Sequence, residues 1–132
     1  MEVAEIKKIL ETSKTIAVVG CSSNPEKTAN QIPRYMKEHG YKVIPVNPNS
    51  ENILNEKTYK SISEVKEKVD IVDIFRPSVE CLEIVKEAIK IKPKVIWMQL
   101  GIINEEAKKL AEQHGIKVVM DKCLMVEHKK CL

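Results

Sequence analysis

The chain has 132 residues, 43% hydrophobic and 31% charged, with a formal net charge of +3; this length fits one domain, spanning 1–132, with a core covered on two sides. Lys and Glu are interspersed and aromatics are few, so nothing supports a nucleic-acid surface. No apolar run nears the roughly 20 residues that a bilayer requires and no signal peptide opens the chain, which points to a cytoplasmic protein with no membrane role.

Residues 2–12 place Val3, Ile6, Ile9 and Leu10 at helical spacing, predicting a short amphipathic helix against one face or edge of a sheet. Thr15-Ile16-Ala17-Val18-Val19 is apolar and largely β-branched. It ends in Gly20-Cys21-Ser22-Ser23-Asn24-Pro25 ahead of a helical pattern, which reads as strand, turn and helix start. Such a turn gathers backbone N–H groups at the carboxyl end of the strand and attracts an anion, although the same pattern fits a plain structural βα turn. It is not the dinucleotide fingerprint, because Ser22 and Pro25 stand where its second and third glycines would fall, and no P-loop pattern occurs in the chain.

Ile32, Tyr35 and Met36 give the second helix its apolar face, and Gly40 closes it. Pro33 would kink a helix beginning as early as Thr28, so an irregular or shifted start is expected. The run 41–49 is a second strand, whose Pro45 calls for a bulge or an unpaired edge and which Pro48 stops. At its end a dinucleotide domain would carry an acidic residue for a ribose hydroxyl, where this chain has Asn47. Residues 51–60 read as a loop with at most a turn of helix, and 61–68 as a short helix opened by a Ser61–Glu64 capping box.

A third strand over 70–75 is stopped by Pro77, and Ser78 is positioned to cap a helix bearing Val79, Leu82, Ile84, Val85 and Ile89. The fourth strand and its turn span 94–101; Asn104 caps the next helix, and Gly115 ends it. Residues 116–120 form a fifth strand, followed by a frayed helix or tail. Strands that alternate with helices and are nearly continuously apolar predict an α/β domain with a five-stranded parallel sheet between two helical layers.

In such a sheet the ligand crevice lies beyond the carboxyl ends of the strands. Those ends carry Gly20 to Asn24, Val46 to Pro48, Phe75 to Pro77, Gln99 to Gly101 and Asp121 to Cys123. Arg76 can pair with phosphate, Lys27 and Lys122 add point charges, and Val46, Pro48, Phe75, Pro77 and Leu100 offer apolar walls. His39, His114 and His128 fall outside the set, Asp73 lies within a strand, and Asp121 reads as a cap for the terminal helix. No nucleophile with its base, no acid–base pair and no metal-ligand cluster is apparent. Cys21, Cys81, Cys123 and Cys131 lack C-x-x-C spacing, so neither zinc nor a disulfide framework is indicated.

The ordered series IAVVGCS (16–22), GY with VIPVNP (40–48), VDIFRP (72–77), WMQLG (97–101) and VMDKC (119–123) resembles the small stand-alone coenzyme A-binding domain proteins. These are similar to the N-terminal domain of the succinyl-CoA synthetase alpha subunit. The resemblance spans roughly residues 16 to 128 and implies a Rossmann-like fold holding coenzyme A or an acyl-CoA. By position, Gly20, Cys21, Ser22, Ser23 and Asn24 with Lys27 would cradle the pyrophosphate, and Val46, Asn47 and Pro48 would line the adenosine side. Phe75, Arg76 and Pro77 with Gln99, Leu100 and Gly101 would flank the nucleotide and pantetheine portions. The chain departs from the family in having Cys21 for the usual Ala and Ala29 where a hydroxyl is frequent, for which Thr28 would substitute. The phosphorylated histidine and partner subunit of the synthetase belong to regions beyond this domain. The resemblance thus implies binding and leaves its use open; the phosphate-ready edge without catalytic groups points to a non-catalytic module that senses or delivers coenzyme A or an acyl-CoA, its protein partner unknown, and the alternative is an enzyme on a nucleotide or acyl thioester with Cys21 as nucleophile.

Overall fold

A computed structural model describes residues 1–132. Five parallel strands, β1 (Thr15–Val19), β2 (Lys42–Val46), β5 (Ile71–Ile74), β6 (Val95–Met98) and β7 (Lys117–Val119), form one sheet in the order β2-β1-β5-β6-β7. Because every strand is apolar on both sides, alternate residues feed two cores. Ile16 and Val18 of β1 face one cluster with Val43, Ile71 and Trp97, and Ala17 and Val19 face the other with Ile44, Val72 and Ile96. The first face is covered by α1 (Val3–Thr12), α2 (Thr28–Glu38) and α5 (Leu124–Cys131), the second by α3 (Cys81–Ile89) and α4 (Glu105–Gln113). The result is the expected three-layer, Rossmann-like α/β fold, and no helix is long and apolar enough to cross a membrane.

The amino ends of the strands are tied by Asp70, whose carboxylate accepts the amides of Lys14 (2.8 Å) and Thr15 (3.1 Å) and pairs with Lys94 (3.3 Å). Burial pushes the Asp70 pKa up, but these partners outweigh it and hold the carboxyl below its ordinary value. β2 is an edge strand, as Pro45 requires. The Pro45 carbonyl accepts the Tyr59 amide on the outer side, and a residue's N–H and C=O share a side in a strand, so the missing donor leaves no ladder bond unmade.

Several local expectations are corrected. Residues 51–60 contain a hairpin, β3 (Asn52–Ile53) and β4 (Glu56–Lys57), turned by Leu54 and Asn55, both at positive φ (55° and 62°). Lys37 of α2 pins this hairpin by donating to the Leu54 carbonyl and pairing with Glu56 at 3.0 Å. The 61–68 segment forms only a 3-10 turn over Ile62–Glu64 without a capping box, since the Ser61 hydroxyl bonds to that of Ser63. Ser78 starts a 3-10 turn rather than capping α3; its hydroxyl accepts the Ile103 amide, and Val79 points into solvent. Asn104 does cap α4, accepting the Ala107 amide at 2.9 Å.

The terminal segment is a docked helix, not a frayed tail: Leu124, Glu127 and His128 are buried, and His128 Nδ1 is 2.8 Å from the Tyr35 hydroxyl. Nor does Asp121 cap it. Asp121 lies at positive φ and accepts the Gly101 amide at 2.6 Å, joining the turns after β6 and β7.

Candidate functional site

The strand order reverses between β1 and β5: the chain leaves β1 for α2 on one face and leaves β5 for α3 on the other, opening a crevice at their carboxyl ends. Gly20, at φ 84°, makes the turn out of β1. A Cβ there would lie 2.7 Å from the Phe75 carbonyl oxygen and 2.9 Å from Arg76 Cδ, so a bare Cα is what lets the β5 turn approach.

The expected start of α2 is also corrected. The helix begins at Thr28 with Pro33 inside it. Pro33 has no N–H for the Ala29 carbonyl, and that carbonyl accepts the Ser22 amide instead, at 3.1 Å. The buried Asn30 completes the clasp by donating from Nδ2 to the Ser22 carbonyl at 2.8 Å. Within the turn, the Asn24 amide donates to Ser22 Oγ and the Glu26 amide to Asn24 Oδ1. The amides of Cys21, Ser23, Thr28 and Ala29 donate to no protein group, which leaves the last two as free donors in the first turn of α2.

Asn47 bridges the turns after β1 and β2: its Nδ2 donates to the Cys21 carbonyl and its Oδ1 accepts the Asn49 amide, both at 2.8 Å. With one N–H and one lone pair engaged it shapes the wall, and its second N–H and second lone pair remain for a ligand.

The crevice has two lobes that share Lys27, Ala29, Phe75 and Arg76. The first, about 630 Å3, brings together the predicted Gly20, Cys21, Ser22, Val46, Asn47 and Pro48. The second, about 590 Å3, brings together Thr28, Pro77, Gln99 and Leu100, with Ile32, Ile102 and Cys123. Ser23, Asn24 and Gly101 line neither lobe, and Lys122 is absent from both. Gln99 is a strut more than a wall: it is buried, donates to Asp73 Oδ1 at 2.6 Å and accepts the Leu124 amide.

Two groups of lining residues were missed. Asn49, Lys60, Ser61 and Ile62 arrive through the crossover from β2 to β5, which carries no local motif. Glu80, Glu83, Ile84 and Glu87 come from the start of the β5-to-β6 crossover and α3, and their 3–4 residue spacing was a legible helical stripe.

The charges are asymmetric. Lys27 and Lys60 form no ion pair, whereas Arg76 is held bidentately by Glu80, Nε and Nη2 donating to the two carboxylate oxygens at 3.0 and 2.8 Å. Cys21 is fully buried; burial first and the Asp73 charge second push its thiol up to about 12, which suppresses the thiolate a nucleophile needs. Asp73 is itself buried, with Oδ2 unpartnered, and desolvation pushes its carboxyl up to about 8 against the lowering hydrogen bond from Gln99. No three His, Cys, Asp or Glu residues stand together as a metal group.

The chain is similar to several known proteins. The family model described as a CoA binding domain matches residues 14–129. The Bacillus subtilis (strain 168) protein YneT is 40% identical over 125 residues, covering 95% of this chain and 93% of its own length. A solved protein of Pyrococcus horikoshii OT3 superposes with TM-score 0.96 at 40% identity, covering 99% of this chain and 92% of that one. Subunit alpha of the ADP-forming acetate-CoA ligase II of Pyrococcus furiosus is 30% identical over 124 residues, 83% of this chain but only 26% of the subunit. A match running from just before β1 into α5 takes in every element that builds the crevice, and the chain belongs to the CoA-binding domain family.

Proposed function

We propose that the chain binds coenzyme A across the two lobes, as a binding module rather than as a catalyst. The observation that carries the reading is the shared wall. Lys27, Ala29 and Arg76 line both lobes and Thr28 lines the second, with the Thr28 and Ala29 amides free, so a pyrophosphate fits between a nucleoside in the first lobe and a pantetheine arm in the second. The lining differs accordingly. Asn47, Asn49, Lys60 and Ser61 make the first lobe the more polar of the two, and Ile32, Phe75, Pro77, Leu100 and Ile102 make the second the more apolar.

An acyl-CoA suits the same arrangement. Leu100 at the second lobe is 71% exposed, and the exposed Ile103 and Val79 lie on the neighbouring loops, giving a thioester tail an apolar path. The enzyme alternative loses support with its nucleophile, because Cys21 is buried and its thiol is held protonated. Four free thiols fit a cytoplasmic location.

Isothermal titration with coenzyme A, acetyl-CoA, NAD and FAD tests the proposal. Micromolar binding of the first two without turnover is expected; tighter binding of NAD would overturn it.

A further inference from the structure

Three carboxylates line the first lobe, an odd lining for a site that holds phosphates, and they differ in what they do. Glu83 pairs with Lys86 at 3.1 Å and Glu87 with Lys90 at 3.2 Å, each with a cation of its own helix. Glu80 instead takes Arg76, the guanidinium common to both lobes.

The Arg76 stem is fixed at its other end. A Cβ on Gly20 would reach within 2.9 Å of its Cδ and 3.2 Å of its Cγ, so the methylenes lie on the bare Cα of the anion turn. Stem against Gly20 and head against Glu80, Arg76 has little rotamer freedom left to lose when a ligand arrives. The pairing also leaves donors over. A guanidinium has five N–H groups; Glu80 engages one on Nε and one on Nη2, so both on Nη1 and the second on Nη2 remain for another acceptor.

We propose that Glu80 is a positioning residue: by gripping the Nε side of Arg76 it presents the Nη1 side to the phosphates of the ligand. The inference rests on the coenzyme A reading above. It reverses the simplest expectation for an acidic residue in an anion site, that removing it should tighten binding.

The test is titration of coenzyme A into the wild type, Glu80→Ala, Glu80→Gln, Arg76→Ala and the Arg76→Ala/Glu80→Ala double variant. Glu80→Ala should weaken binding about tenfold, a scale set by losing the fixed geometry of one charged hydrogen bond. Glu80→Gln keeps one acceptor oxygen and should recover part of that loss. In the Arg76→Ala background, Glu80→Ala should change nothing further, because Glu80 acts only through Arg76. Thermal midpoints should stay close to wild type, since an exposed ion pair contributes little to stability.

Binding by Glu80→Ala as tight as wild type or tighter would overturn the inference, as would an undiminished effect without Arg76. Failure of the wild type to bind coenzyme A would overturn the parent reading and this inference with it. Wild-type binding alongside an indifferent Glu80→Ala would overturn this inference alone.

Discussion

The Ser22 amide donates to the Ala29 carbonyl at 3.1 Å, so the loop before α2 folds back and closes on the first turn of that helix. The carbonyl is available because Pro33, four residues on, has no N–H to offer it. A residue that looks like a helix fault thus fixes the anion turn, and it sorts the turn's donors. Ser22 is engaged; Thr28 and Ala29 are open.

This sorting is measurable by amide hydrogen exchange. Saturating coenzyme A should slow exchange at Thr28 and Ala29 and leave Ser22, already bonded, nearly unchanged. New protection at Ser22 with none at Thr28 or Ala29 would place the phosphates on the other side of the turn.

Gly20→Ala would force a Cβ to 2.7 Å from the Phe75 carbonyl oxygen at a φ of 84°. The backbone cannot yield as a flexible side chain would, so a loss of about 1–3 kcal/mol is expected. Thermal melting reads the stability and titration reads coenzyme A binding, which should weaken as Arg76 is displaced. A wild-type melting point would mean that the two turns can part at no cost.

Much of the fold could be read directly because the strands are short apolar runs, rich in β-branched residues and bounded by turn signals: Ile71-Val72-Asp73-Ile74 runs into Arg76-Pro77, and Val95-Ile96-Trp97-Met98 lies between Pro93 and Gly101. What escaped was set by tertiary contacts. Leu54-Asn55 forms the 3-4 hairpin turn without the Asn-Gly signal, held by Lys37 from α2. Ser78 and Asp121 have the chemistry of caps, but the Ile103 and Gly101 amides claim them from loops 25 and 20 residues away. The same holds at the site: each strand-end segment was visible in order, while Lys60 reaches the crevice only through the crossover from β2 to β5.

Asp73 predicts an unusual pH dependence of stability. Its folded pKa, about 8, lies above the ordinary 3.8, so between those values the native state holds a proton that the unfolded chain has lost. Stability therefore falls as pH rises through that window, by a few kcal/mol in all. Asp73→Asn cannot titrate and should flatten the fall. Urea unfolding at about pH 5 and about pH 8 checks it, and an identical decline in both proteins would assign the slope to other groups.

The cysteines supply a test of site and chemistry together. Iodoacetamide needs an accessible thiolate. Cys21 and Cys81 are buried, with thiols pushed up to about 12 and about 11, mainly by desolvation, so both should label slowly. Cys123 and Cys131 are half-buried, but only Cys123 lines a lobe, the second one, where the pantetheine arm is placed. Cys123 should therefore label faster than Cys21, and coenzyme A should protect it while leaving Cys131 unaffected. Cys131 thus serves as the internal control, separating occlusion by the ligand from general tightening of α5, which carries Cys131 and is preceded by Cys123. Mass spectrometry after timed alkylation, with and without coenzyme A, reads all four sites at once. Fast labelling of Cys21 that coenzyme A suppresses would restore it as a reactive thiol of the anion turn, and equal protection of Cys123 and Cys131 would remove the pantetheine arm from the second lobe.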